Sequence, residues 1–245
     1  GHSVGNILIA TIERVAKRDK LSHTEYIDAL HRFFGVHDHR VIPVSEQATV
    51  LHAKYADGKT RSSEKIIDIR DSTRPAITDC WLDPGACASR EALDAIQEAN
   101  AIVLAPGDLY TSIVPVLLVD GIASAITASN APLIQVINLA TKPGQTDQFT
   151  AQQHVDVVSQ YLATRRPDCM IVNQAIPPSA VVAHYESEGE YLVTDDFGSH
   201  QPGVHRARLI ADQIAKPVVG DRIPRSLLRH DPDKLARAIL HCMCI

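Results

Sequence analysis

The chain has 245 residues, of which 45% are hydrophobic and 22% charged, with a formal net charge of −5. That length and composition suit one substantial globular domain with a packed core. The negative balance argues against an exposed duplex-DNA surface, and no apolar run approaches the roughly 20 residues of a membrane span, so neither nucleic acid nor membrane is an expected partner.

The chain opens on Gly1-His-Ser-Val-Gly-Asn6 and runs straight into 7–16, whose apolar spacing predicts a buried helix. Ser22-His-Thr-Glu25 has the capping-box pattern and predicts a second helix, closed at Gly35. Strands are expected at 40–44 and 48–55, followed by Asp57-Gly58, a hairpin turn signal, and a return strand over 60–68. Residues 40–68 thus read as a small antiparallel hairpin insert in a single domain covering 1–245.

From Ser89 the pattern alternates. A helix to about 98 precedes a strand at 101–105, and an apolar helical region at 111–129 is interrupted near 119–121. A strand at 133–138 leads through a loop to a helix opened by Thr150, with Gln153 as its capping partner. Strand 169–173, helix 179–188, strands 191–194 and 206–210 and a last helix over 232–241 complete the chain. Repeated βα units predict an α/β fold, a mostly parallel sheet with helices on both faces.

The five cysteines (80, 87, 169, 242 and 244) lack the spacing of a zinc site and read as reduced thiols without a role. His37-Asp-His39 offers two imidazoles but no third ligand at a recognisable spacing. No leader pattern is found, which leaves the cytoplasm as the expected location.

Four segments carry the polar chemistry. Ala101–Ser112 is a strand, a tight Pro106-Gly107 loop and a helix entrance, where a phosphate would meet unpaired N–H groups; Thr111 and Ser112 serve equally well as plain helix caps. Asn138–Asp147 leaves a second strand end, and parallel strands bring such loops to one edge. There Lys142 offers a charge for phosphate, Asn138 a polar reader for base or sugar, and Asp147 a water or metal partner. Gly1–Asn6 would permit close backbone approach. In Arg229-His-Asp-Pro232, Asp231 and Pro232 suit a helix start, which leaves Arg229 to clamp phosphate or to stand in solvent. No Walker, nucleophile-elbow or zincin motif is found. Composition and spacing alone stop at a cytosolic α/β protein that binds a phosphorylated small molecule.

The four segments, in order, resemble the YvcK-like (gluconeogenesis factor) proteins of the superfamily that includes the 2-phospho-L-lactate transferase CofD. Gly1–Asn6 resembles the family's Gly-His-Ser-Leu-Gly-Asn, and Ala105–Ser112 its Gly-Pro-Gly-Ser-Leu-Tyr-Thr-Ser. Asn138–Phe149 resembles Asn-x-x-Thr-Gln-Pro-Gly-Glu-Thr-Asp-x-Tyr, and Arg229–Ala236 resembles Arg-His-Asp-x-x-Lys-Leu-Ala. The resemblance implies a three-layer Rossmann-like fold and a cytosolic, non-catalytic regulator that binds a uridine-diphosphate sugar such as UDP-N-acetylglucosamine and is linked to carbon metabolism, envelope synthesis and cell shape. It implies ligand contacts from Asn6, Gly107, Tyr110, Thr111, Ser112, Asn138, Lys142 and Arg229. The CofD branch implies the alternative, a magnesium-dependent phospholactyl transferase with Asp147 as the metal candidate. The family's N-terminal glycine-rich turn and Asp-Asp-Gly-Gly loop have no counterpart in this sequence, so a further reading is a shortened chain acting only as an interaction partner. A homo-oligomer is open on any of these readings. Two departures bear on the phosphate: Asp108 replaces the family serine, and Lys142 and Gln145 replace glutamine and glutamate, adding positive charge nearby.

Overall fold

The computed structural model describes residues 4–36, 41–163, 165–212 and 227–244. Its centre is a parallel sheet of four strands in the order β4-β5-β6-β7: Ile102–Leu104, Leu133–Val136, Cys169–Asn173 and Val204–Ala207. Alternation along β5 sets the layers. Leu133 faces the core shared with Ile126 of α6 (Ile122–Ala128) and Val158 of α7 (Ala151–Tyr161). Ile134 and Val136 face the opposite side, against Ala238 and Cys242 of α9 (Pro232–Cys242). Helices therefore cover both faces, the three-layer α/β arrangement that the alternating pattern predicts.

The insert is larger than a hairpin. Strands β1 (Val50–Tyr55) and β2 (Thr60–Ser62) pair across the Asp57-Gly58 turn, where Gly58 has φ 81°. A third strand, β3 (Ile77–Asp83), was not anticipated and pairs with the other edge of β1. Leu51, Ala53 and Tyr55 alternate into the core against Ile77 and Cys80. Beyond Ser62 the expected return strand fails, because Ser63 turns at φ 75° into a single helical turn, α3 (Glu64–Ile67). The strand expected at 40–44 is also not formed over 41–44: Pro43 and Val44 give their carbonyls to Ser89, whose hydroxyl caps α4 (Arg90–Gln97).

Helix α1 (Val4–Arg18) forms where expected but is not buried. Val4, Ile7, Ile9 and Val15 are exposed, and Ala16 alone is buried along it. It packs against α2 (His23–Phe34), which carries the capping box Ser22/Glu25 and ends at Gly35 as predicted. Helix α8 (Ser179–Ser187) and the Asp231 cap of α9 also match. Residues 191–194 form isolated bridges rather than a strand, and their carbonyls and N–H groups clamp the 138–151 loop instead. Beyond β7, among the described residues, Ile210 and His230 form an antiparallel bridge.

The reading of all five cysteines as reduced thiols needs correction. Cys169, at the start of β6, and Cys242, at the end of α9, are joined in a disulfide across 73 positions of sequence, while Cys80, Cys87 and Cys244 are free. Only the tertiary fold brings that pair together. His37, Asp38 and His39 lie outside the described residues, as do Gly1, His2 and Ser3. No helix among the described residues is long and apolar enough to cross a membrane.

Candidate functional site

The carboxyl ends of β4 and β5 send out the loops 105–112 and 138–149, and these meet at the sheet edge. Such an edge is where open parallel sheets form ligand crevices. Asn138 joins them directly: its side-chain Nδ2 donates to the carbonyl of Gly107 at 2.9 Å. The amide expected to read a base or sugar is thus half committed to holding the loops together. After Gly107 the chain makes a wide π-helical turn, Leu109–Ile113, rather than starting an ordinary α-helix. Turns of this kind recur at functional sites because they re-aim side chains.

At the centre lies Lys142, mostly shielded from solvent. Its ammonium donates to Asp108 Oδ2 at 2.6 Å and to Asp68 Oδ1. Asp68 also accepts from Thr111 Oγ1 at 3.1 Å and from Gln145 Nε2 at 3.3 Å. A carboxylate at Asp108 alone would repel a phosphate, and Lys142 supplies the cation that offsets it. The three groups sum to one negative charge, with the lysine preorganised between two carboxylates. Thr111 is buried and bonded to Asp68, not capping the next helix; Ser112 is exposed, with its N–H on the Asp108 carbonyl.

Asp68 was missed by sequence reasoning, which took 60–68 as one strand. The polar run Asp68-Ile-Arg-Asp-Ser72 behind the apolar pair Ile66-Ile67 was the available signal that the strand had ended. The loop it begins supports the 138–149 loop from below. Gly144 sits at φ 79°, with the Asp71 carbonyl so close that a Cβ would lie 2.8 Å from it. Arg70 pairs with the buried Glu190, and the N–H of Thr141 donates to the Tyr191 carbonyl at 2.8 Å.

Other expected contacts fall elsewhere. Tyr110 points into the hydrophobic core, 4% exposed, and burial pushes its phenol well above the usual range. Its ring is therefore placed with the core and not among the exposed groups of the crevice. Asn6 lies inside the first turn of α1, not before the helix, on an element packed against α2. Arg229 is exposed at the same sheet edge, where its carbonyl accepts from Ala211 N–H at 2.9 Å. Its neighbour His230 was not singled out, yet it turns inward: burial lowers its pKa, a hydrogen bond with the Ile137 backbone opposes that, and its Nε2 is buried without a partner.

Asp147 is committed to its own loop, accepting from the Gly144 N–H at 2.8 Å, and burial raises its pKa. Among the described residues no three His, Cys, Asp or Glu side chains are gathered to hold a metal. The donors present, two carboxylates already closed on a lysine, do not fit a protein-held magnesium ion, and no chemistry is derived through one.

A crevice at the carboxyl edge of a parallel sheet, walled by two polar loops and centred on a shielded lysine, places the protein in the α/β class with its polar groups gathered at the strand ends. The family profile described as 2-phospho-L-lactate transferase CofD matches residues 1–213. A gluconeogenesis-factor relative from Thermotoga maritima is 34% identical over 98% of this chain and 72% of its own length. The Bacillus subtilis gluconeogenesis factor is 30% identical over 98% of this chain and 71% of its own. A crystal structure of a Bacillus halodurans protein of the UPF0052 family superposes with a TM-score of 0.83 at 29% identity, covering 98% of this chain and 72% of that one. The chain belongs to the CofD family, on its YvcK-like, gluconeogenesis-factor side. It spans only 48% of the length of a Deinococcus radiodurans relative that is 33% identical.

Proposed function

We propose that this protein is a non-catalytic regulator that binds a nucleoside-diphosphate sugar of the UDP-N-acetylglucosamine type in the crevice between the 105–112 and 138–149 loops. The observation that carries the reading is Lys142, held between Asp68 and Asp108 at the meeting point of two strand-end loops. A diphosphate arriving there exchanges one carboxylate contact for phosphate oxygens, while the other carboxylate keeps the lysine in place. Thr111 and Gln145 already hold Asp68, which lowers the cost of that exchange. Gly107 gives the diphosphate close backbone approach, and exposed Ser112 and Arg229 supply outer donors. The free carbonyl oxygen of Asn138 remains to accept from base or sugar.

The relatives named as gluconeogenesis factors support a role in carbon metabolism, and control of envelope synthesis and cell shape is the biological extension of the same reading. The transferase reading gains no support from Asp147, whose carboxylate is spent on its own loop. Calorimetric titration of the folded chain with UDP-N-acetylglucosamine, uridine diphosphate and free N-acetylglucosamine tests the proposal. Saturable heat with the first two and none with the third is expected. A chain that is folded yet gives no heat with either nucleotide at millimolar concentration sinks it.

A further inference from the structure

Away from the crevice, on the flank of the sheet, β7 and α9 border an open groove of about 290 Å³ whose lining includes His205, Arg208, Lys234, Arg237 and His241. We propose that this groove is an oxyanion site, taking a phosphate-sized dianion or the phosphoryl group of a small metabolite.

The placement follows from two periodicities. Along β7, His205 and Ala207 point to the α9 face, whereas Val204 packs toward α7 and Arg206 binds Asp195 at 2.6 Å on the other side. On α9, Lys234, Arg237 and His241 follow one another at helical spacing as a stripe beside the apolar one of Leu235, Ala238, Ile239 and Cys242. The apolar stripe docks the helix on the sheet. The cationic stripe is thereby turned toward His205 of β7 and Arg208 just beyond the strand.

Nothing in the groove neutralises this cluster well. Among the described residues Arg237 forms no ion pair, and Arg208 feels the Asp212 carboxylate only through its field, without a close ion pair. Lys234 donates to Asp212 at 2.6 Å and to the Ile210 carbonyl at 3.1 Å, but the Asp212 side chain is 86% exposed, so that pair is easily exchanged. Asp231, 3.9 Å from Lys234, is occupied as the N-cap of α9. The imidazoles of His205 and His241 lie in contact, with ring centroids 4.5 Å apart. In a chain with a net charge of −5, so many basic groups around one cavity create a local field of the opposite sign. An oxyanion would satisfy both arginines and bridge the paired rings, and the cavity leaves room for bound water, at roughly 30 Å³ each, beside it.

Binding is coupled to protons. Burial, and then the neighbouring His241, lower the pKa of His205, so its ring favours the uncharged form more than a free imidazole does. A dianion beside the rings opposes that shift and draws a proton onto His205.

The test is a titration with sulfate, which stays a dianion through this pH range, read by the imidazole C–H resonances of His205 and His241. We expect saturable shifts of both resonances at about pH 6, with affinity about tenfold weaker at about pH 8. Arg237→Gln keeps both reporters and is expected to weaken binding at least about fivefold; Arg237→Glu should abolish it. Resonances that ignore sulfate in the parent chain overturn the proposal, as does a midpoint unchanged in Arg237→Gln. Because neither variant touches the crevice loops, these outcomes are independent of nucleotide binding.

Discussion

Gly144 and His154 show how single residues hold the loop that carries Lys142. The left-handed backbone at Gly144 and the nearby Asp71 carbonyl leave no place for a side chain. Gly144→Ala is expected to lower stability by at least about 1 kcal/mol, measured as a drop in the urea midpoint, because both the positive φ and the clash act against a Cβ. An unchanged midpoint would show that the loop is looser than described. His154, one turn into α7, is 2% exposed, stacks edge-to-face on Phe149 and pairs through Nδ1 with the Thr150 carbonyl, which fixes Nδ1 as the protonated nitrogen. Its Nε2 has no partner, and burial holds its pKa below the usual value. The sign follows: the unfolded chain takes up a proton near pH 6.5 while the folded one does not, so this contribution to stability is complete above about pH 6.5 and falls away as the pH drops toward the lowered folded value. His154→Phe should therefore flatten the fall in urea midpoint between about pH 7.5 and about pH 5.5. Equal slopes in the two proteins would contradict it.

At the scale of elements, what could be read from the sequence were features with local causes. The capping boxes at Ser22 and Thr150, the Asp231-Pro232 helix start and the Asp57-Gly58 turn are each decided by residues within a few positions, and each is found. Thr150→Ala removes the acceptor for the Gln153 N–H, a bond of 3.3 Å, and should cost about 1 kcal/mol by thermal or chemical unfolding. What could not be read depends on distant partners. Strand β3 is stabilised as an edge of β1, and residues 191–194 resemble a strand locally but spend their backbone on the 138–151 loop. Helix α1 has the apolar spacing of a buried helix while exposing Ile7 and Ile9. In the crevice, Lys142, Asn138 and Gly107 were visible as loop residues at strand ends, but Asp68 was not, because its role arises from a partner 74 positions away. The placement of Tyr110 was hidden for the same reason: Thr111 bonds Asp68 at the crevice while the Tyr110 ring joins the core.

Across the whole molecule, the parallel sheet organises two chemically distinct regions. One is the crevice at the carboxyl edge of β4 and β5, where carboxylates outnumber the central lysine. The other is the β7–α9 flank, where basic groups predominate. The crevice account turns on the balance between Lys142 and its two carboxylates. Asp108→Ser installs the serine that the family resemblance implies here and frees the lysine of one carboxylate, whereas Lys142→Ala removes the cation altogether. The most direct measurement is calorimetry of UDP-N-acetylglucosamine with the parent and these two variants, each shown to be folded. The account predicts opposite changes: affinity several-fold tighter for Asp108→Ser and about tenfold weaker or lost for Lys142→Ala, as expected for a charge-assisted phosphate contact. Equal affinities in all three proteins would contradict it.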